Sequence, residues 1–76
     1  MAKIEGLETL VNLEELYISH NGIKKIEGLD TLVNLVTLDV SNNFIKRIEN
    51  VSHLTKLEEF WVRRWYYFHN NNIING

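Results

Sequence analysis

The chain repeats itself with a period of 22 residues, and this period restricts its possible folds more than any other feature. Residues 4–25 read IEGLETLVNLEELYISHNGIKK, and residues 26–47 read IEGLDTLVNLVTLDVSNNFIKR. Fourteen of the 22 positions are identical. A third unit, residues 48–64, begins IENVSHLTKLEEFWV and then diverges. Units that repeat every ~20–50 residues stack on one another, so the sequence predicts a solenoid of about three units.

Apolar residues recur at the same positions of each unit, and stacking would turn each position into a buried column. No single unit could bury these side chains alone, and three units are close to the minimum for a stable stack. The columns are Ile4, Ile26 and Ile48; Leu7, Leu29 and Val51; Leu10, Leu32 and Leu54; Leu13, Leu35 and Leu57; Leu16, Leu38 and Phe60; and Ile18, Val40 and Val62.

Each unit also contains a local strand pattern. Leu16, Tyr17, Ile18 and Ser19 alternate between apolar and polar, as in a short half-buried strand, and the next two units repeat the pattern. Around residues 8–12 and 30–34, leucines recur at three-residue spacing, which favours 3₁₀ or short helical turns. We therefore predict an α/β solenoid, with short parallel β-strands on the concave face and helical turns on the convex face.

Two columns of polar or small residues support this prediction. Asn21 and Asn43 follow the strands at the same offset, where a buried amide can pair with backbone groups at a turn. Gly6, Gly28 and Asn50 share another position. Because Gly and Asn tolerate a positive φ, we expect a left-handed residue there in every unit.

These phrases are similar to those of a known family. LVNLEELYISHNGI, IEGL, IKRIENVSHLTKLEEFW and the frame L-x-x-L-x-L-x-x-N-x-I resemble the 22-residue leucine-rich-repeat subfamily typified by a regulatory subunit of protein phosphatase 1. The resemblance implies a non-enzymatic leucine-rich-repeat solenoid without cofactor or metal. It also implies binding of the protein phosphatase 1 catalytic subunit on the concave face, a role in phosphatase regulation, and a location in nucleus and cytoplasm.

The outward strand positions are the candidate partner-binding residues. Aromatic side chains often carry much of the energy of an interface, and here they lie among carboxylates. For Glu59, Trp61 and Asp39 the resemblance also implies contact with the phosphatase. The alternative is that all of them are ordinary solvent-facing strand residues. The candidates are Trp61, Glu59, Asp39, Tyr17 and Glu15.

Residues 65–76 form a divergent tail rich in aromatic residues and Asn. Its segment WYYFHNNNI fits the frame of ELYISHNGI but comes six residues too early, placing Asn71 in the Asn column and Tyr66 and Phe68 inward. The alternatives are a truncated extra strand, a makeshift cap over the end of the stack, or a frayed terminus. Residues 1–64 would then be the repeat domain.

Length and composition restrict the remaining interpretations. A chain of 76 residues forms one small domain of marginal stability, so we expect a fragment of a longer solenoid, a short gene product or an engineered piece. Uncapped edge strands favour self-association. The absence of Cys excludes thiol chemistry, and no apolar run is long enough for a membrane-spanning helix.

Other motifs carry little functional information. His20, His53 and His69 lack metal-ligand spacing, and no phosphate loop or nucleophile pair is present. A basic ridge of Lys24, Lys25, Lys46 and Arg47 accompanies a net charge of −2, which favours a solvated rim over a nucleic-acid site. The alternative functions are a structural or engineered self-assembling scaffold, and an adaptor for another partner such as a dynein-type motor.

Overall fold

The 22-residue period of the sequence matches the register of a parallel sheet in the structure. A computed structural model describes residues 2–62 in full and the backbone of residues 66–69 and 72–75. The strands β1 (Glu15–Tyr17), β2 (Thr37–Asp39) and β3 (Glu59–Trp61) form a sheet in the order β1-β2-β3. Each strand residue pairs with the residue 22 positions later. The predicted parallel strands are therefore confirmed.

Two further strands follow the repeats. The strands β4 (Tyr66–His69) and β5 (Asn72–Asn75) pair antiparallel as a separate two-stranded sheet, and the β4 backbone lies close to β3. Asn71 and the side chains of Tyr66 and Phe68, for which the sequence predicts repeat-like positions, lie outside the described residues. Which form of tail is correct, a strand, a cap or a frayed end, therefore stays a prediction.

The core lies behind the three parallel strands and runs through the stack. Its buried side chains come from the apolar columns of the repeats, together with Ile23 and Ile45. Leu10, for which the 22-residue period predicts burial, is instead 45% exposed, because no described repeat packs before the first unit. No buried side-chain polar atom of the described residues lacks a hydrogen bond. Leu7, Leu13, Leu16 and Ile48 are partly buried against this core. The buried core residues are Ile4, Ile18, Ile23, Ile26, Leu29, Leu32, Leu35, Leu38, Val40, Ile45, Val51, Leu54, Leu57, Phe60 and Val62.

The prediction of helical turns on the convex side is not confirmed, because residues 2–62 contain no helix. Each unit instead has two successive single turns. In the first unit Leu10 N donates to Leu7 O at 3.0 Å, and Leu13 N donates to Leu10 O at 3.1 Å. The other two units repeat this arrangement. Only every third amide makes such a bond, whereas a 3₁₀-helix requires them in succession.

In the first unit, side chains of the neighbouring repeat bond to the carbonyls that lie between these turns. In a continuous 3₁₀-helix the carbonyls between the turns would accept bonds from their own unit. Here Glu8 O accepts from Thr31 Oγ1 at 2.7 Å, and Val11 O accepts from Asn34 Nδ2 at 2.8 Å. In the first unit, contacts across the stack therefore stand where a helix would have local bonds.

The left-handed column is confirmed. Gly6, Gly28 and Asn50 have φ values of 78°, 74° and 59°. At Gly28 the chain passes so close to the first unit that a Cβ would lie 2.6 Å from Ile4 O. At the corresponding Asn50, the side-chain amide donates to Ile26 O at 2.8 Å instead. Glycine at residue 28 therefore suits both the backbone conformation and the close approach to Ile4 O.

Candidate interaction surface

The outer face of the sheet is the surface of β1, β2 and β3 that points away from the core. Strand pairing arranges its side chains in two rows across the repeats. The upper row is Tyr17, Asp39 and Trp61, and the lower row is Glu15, Thr37 and Glu59. Neighbouring strands in a sheet are about 4.8 Å apart, so all five predicted binding residues come together with Thr37 on one small patch.

The aromatic residues of this face are accessible to a partner. Tyr17 is 60% exposed and Trp61 is 38% exposed, while the carboxylate-bearing residues Glu15 and Glu59 are also exposed. The exposed parts of such rings can be buried by an interface with a partner. The patch therefore combines large apolar area with negative charge.

Thr37 and Asp39 make this face partly rigid. Thr37 is only 4% exposed, and its Oγ1 donates to Glu59 Oε1 at 3.1 Å. Asp39 Oδ1 accepts from Ser41 N at 2.9 Å and from Ser41 Oγ at 2.6 Å. The Asp39 carboxylate is therefore held in place by the turn after β2.

Asn43 ties the first two repeats together at the ends of their strands. Its Oδ1 accepts from Asn21 N at 2.8 Å and from Ile23 N at 3.0 Å. Its Nδ2 donates to carbonyls of both repeats, at 2.8 Å to Val40 O and 3.1 Å to Ile18 O. This network holds β1 and β2 in register, and so positions the rows that they carry.

Asn21, the other member of the Asn column, has a more local bond. Its Nδ2 donates to Ser19 O at 2.8 Å, within its own repeat. Both Asn side chains therefore lie at the turn after a strand, the position that the sequence predicts for them.

Sequence reasoning missed two features of the described surface. His53 Nε2 lies 2.8 Å from Leu29 O, so this ring nitrogen donates to the preceding repeat and has a structural role. Phe44 is 65% exposed between Lys24 and Lys46. The sequence did contain a sign of this exposed ring, because Phe44 replaces the Gly22 of the first unit in two otherwise similar units.

The described residues offer little for catalysis. They contain no group of three His, Asp or Glu that could hold a metal ion. The depression on the first unit, formed by residues 9–13, is lined by Thr9, Leu10, Val11, Asn12 and Leu13, none of which is ionisable. No helix among these residues is long and apolar enough to cross a bilayer.

Comparison with known proteins identifies the repeats. A family model described as "Leucine Rich repeats (2 copies)" matches residues 11–54, more than half of the chain. No curated protein matches the chain. Leucine-rich repeats generally mediate protein–protein interaction and are generally not enzymes. With its 22-residue period, three parallel strands and matched family model, the chain belongs to the leucine-rich-repeat family.

Proposed function

We propose that this chain is a protein-binding module whose partner is the catalytic subunit of protein phosphatase 1, held on the outer face of the sheet. The observation that carries the binding role is the exposed row of Tyr17, Asp39 and Trp61 with Glu15 and Glu59 beside it. The choice of partner rests on the resemblance of residues 47–61 to regulatory subunit 7 of that phosphatase. Such a partner would place the protein in nucleus and cytoplasm.

The size of the surface determines how tightly it can bind. A standard interface uses about 20–30 residues from each partner and about 800 Å² of surface on each side. The outer face supplies six strand positions, Thr37 among them buried. We therefore expect the isolated chain to bind the phosphatase weakly, with a dissociation constant of roughly micromolar or above.

The test is a titration of the folded chain against the phosphatase catalytic subunit. We expect Tyr17→Ala and Trp61→Ala each to weaken binding by about tenfold, because each truncation removes ~1–2 kcal/mol of aromatic contact. Val33→Ala is the matched control, since Val33 is 45% exposed on the other side of the repeats. Circular dichroism verifies that every variant is folded.

The possible outcomes test the proposed partner and the proposed binding surface separately. If the parent chain and both aromatic variants bind the phosphatase with equal affinity, the outer face of the sheet is not the binding site. Absence of any phosphatase binding by the folded chain at about millimolar concentration would refute the partner.

A second candidate function, self-association, is favoured by the open edge of β1. Ile18 N donates to Asp39 O at 2.8 Å, and Glu14 O accepts from Thr37 N at 3.0 Å. Glu14 and Ile18, the residues on either side of β1, thus direct backbone groups towards β2. By the alternation of a strand, Glu15 and Tyr17 direct theirs towards the opposite side, where no described strand lies.

A second copy could pair with this edge in antiparallel orientation about Leu16. Glu15 would then face Tyr17 of the other copy, which avoids two carboxylates facing each other. The test is sedimentation of Tyr17→Pro, which removes an outward N–H, with Tyr17→Ala as the control that retains it. We expect only the proline variant to lower the dimer fraction; equal loss in both would show that the edge N–H is not used.

A further inference from the structure

Phe44 is an exposed aromatic side chain that the fold does not need. It is 65% exposed, more than any other large apolar residue of the part described in full. The equivalent residue of the first unit is Gly22, so the stack forms without a side chain at this position. The backbone beneath it is well held, because Phe44 N donates to Ile23 O at 2.7 Å. The phenyl ring is therefore exposed on a part of the surface whose backbone is held by a hydrogen bond.

Two lysines flank this ring. Lys24 and Lys46 occupy the same position of adjacent repeats, and with Phe44 they line a shallow depression of about 400 Å³. Neither ammonium group forms an ion pair within the described residues. Two like charges on one rim repel each other, and an anion bound between them would relieve that repulsion. Lys25 and Arg47 follow directly in the sequence and add to the positive charge.

We propose that Phe44, Lys24 and Lys46 form a docking site for an acidic segment of a partner protein. Carboxylates of the segment would pair with the lysines, and one apolar side chain of the segment would cover the phenyl ring. Charge complementarity selects this class of partner, since the outer face of the sheet bears Glu15, Asp39 and Glu59 and would repel the same segment. The chain would thus have two recognition surfaces of opposite charge, and the second is independent of the phosphatase proposal.

A protein segment fits this site better than a nucleic acid does. Single-stranded nucleic acids bind along a positive groove that offers several stacking aromatics. Among the side chains that the structure describes, one ring lies between two lysines here, on a chain whose net charge is −2. The local charge suits a few carboxylates next to one apolar side chain, which is the chemistry of an acidic peptide.

The test uses a fluorescent seven-residue peptide with a central phenylalanine between two runs of three aspartates. Binding to the full chain is followed by anisotropy at low ionic strength. We expect Phe44→Ala to weaken binding by roughly tenfold through loss of apolar contact. We expect the Lys24→Glu and Lys46→Glu double variant to abolish binding, because it reverses both charges. Raising the ionic strength from about 0.01 M to about 0.15 M should also weaken it, as the Debye length falls from about 30 Å to about 8 Å.

Matched controls make the result decisive. Val11→Ala removes a 44% exposed apolar side chain elsewhere and should leave binding unchanged. A peptide with serine in place of its phenylalanine should bind the parent chain as weakly as the original peptide binds Phe44→Ala. Equal binding of both peptides, or unchanged binding by Phe44→Ala, would overturn the proposal. Tighter binding of a single-stranded thymidine oligomer than of the peptide would overturn it in favour of a nucleic-acid site.

Discussion

The first and second repeats have similar sequences, but their leucines are buried to very different extents. Leucines occupy the same four positions in both, three in the turns and one in the strand. Those of the second repeat are all 0% exposed, namely Leu29, Leu32, Leu35 and Leu38. In the first repeat Leu10 is 45% exposed, and Leu7, Leu13 and Leu16 are only partly buried. The second repeat is covered from both sides, whereas the structure describes a neighbour on only one side of the first.

Val11 and Val33 show that the exposure of a side chain depends on where it points as well as on which repeat carries it. These residues are equivalent in the two repeats, and they are 44% and 45% exposed. Both point away from the stacking axis, so a second neighbour changes nothing for them. The comparison teaches that a leucine of this motif is buried by the adjacent repeat and not by its own unit, as expected for a solenoid.

The largest expected difference between the repeats is in the turn leucines. Leu32→Ala should lower the free energy of unfolding by about 2–5 kcal/mol, because it leaves a cavity in a fully buried site. That is a large part of the roughly 4–11 kcal/mol expected for a domain of this size. Leu10→Ala should cost about 1 kcal/mol or less, since the side chain is already half in water.

Urea denaturation followed by circular dichroism measures both leucine variants. Val11→Ala and Val33→Ala serve as the control pair, and their costs should be equal. Similar losses for Leu10→Ala and Leu32→Ala would show that something covers the first repeat in solution, as self-association through β1 would.

A smaller difference is expected between the two left-handed glycines. Gly6→Ala and Gly28→Ala both force a side chain into a positive φ, at a cost of about 1–2 kcal/mol. Only at Gly28 does the new Cβ also meet Ile4 O, whereas no atom lies within 4 Å at Gly6. Gly28→Ala should therefore lose about 1–3 kcal/mol more. Thermal unfolding of both variants checks this, and equal midpoints would mean that the first repeat moves aside at little cost.

The smallest expected difference concerns a hydrogen bond across the stack. Thr31 Oγ1 donates to Glu8 O, whereas Thr9, at the same position of the first repeat, has no preceding described repeat to bond. Thr31→Val should lower the free energy of unfolding by about 0.5–1 kcal/mol, and Thr9→Val should have almost no effect. Urea midpoints of the two isosteric variants give the comparison. A larger loss for Thr9→Val would contradict the role of Thr31 as a cross-repeat tie.

The amino-acid sequence by itself determined the features that depend on local pattern. The period predicts that residues 22 apart pair across the sheet, and the alternation around Leu16, Leu38 and Phe60 predicts where the strands lie. Gly6, Gly28 and Asn50 predict the left-handed column, because the tolerance for positive φ belongs to the residue itself. These features could be read from sequence since each needs only the chain's own geometry and its repetition.

Tertiary structure alone decided the features that depend on neighbours. Sequence cannot distinguish Leu10 from Leu32, because they are identical residues in the same motif and differ only in what packs on them. Within the turn at Leu7–Leu10, Glu8 O bonds to Thr31 of the next repeat. Phe44 is exposed because its position points off the stack, between two lysines of different repeats. Burial and pairing are properties of the assembled stack, and the stack exists only after the repeats have come together.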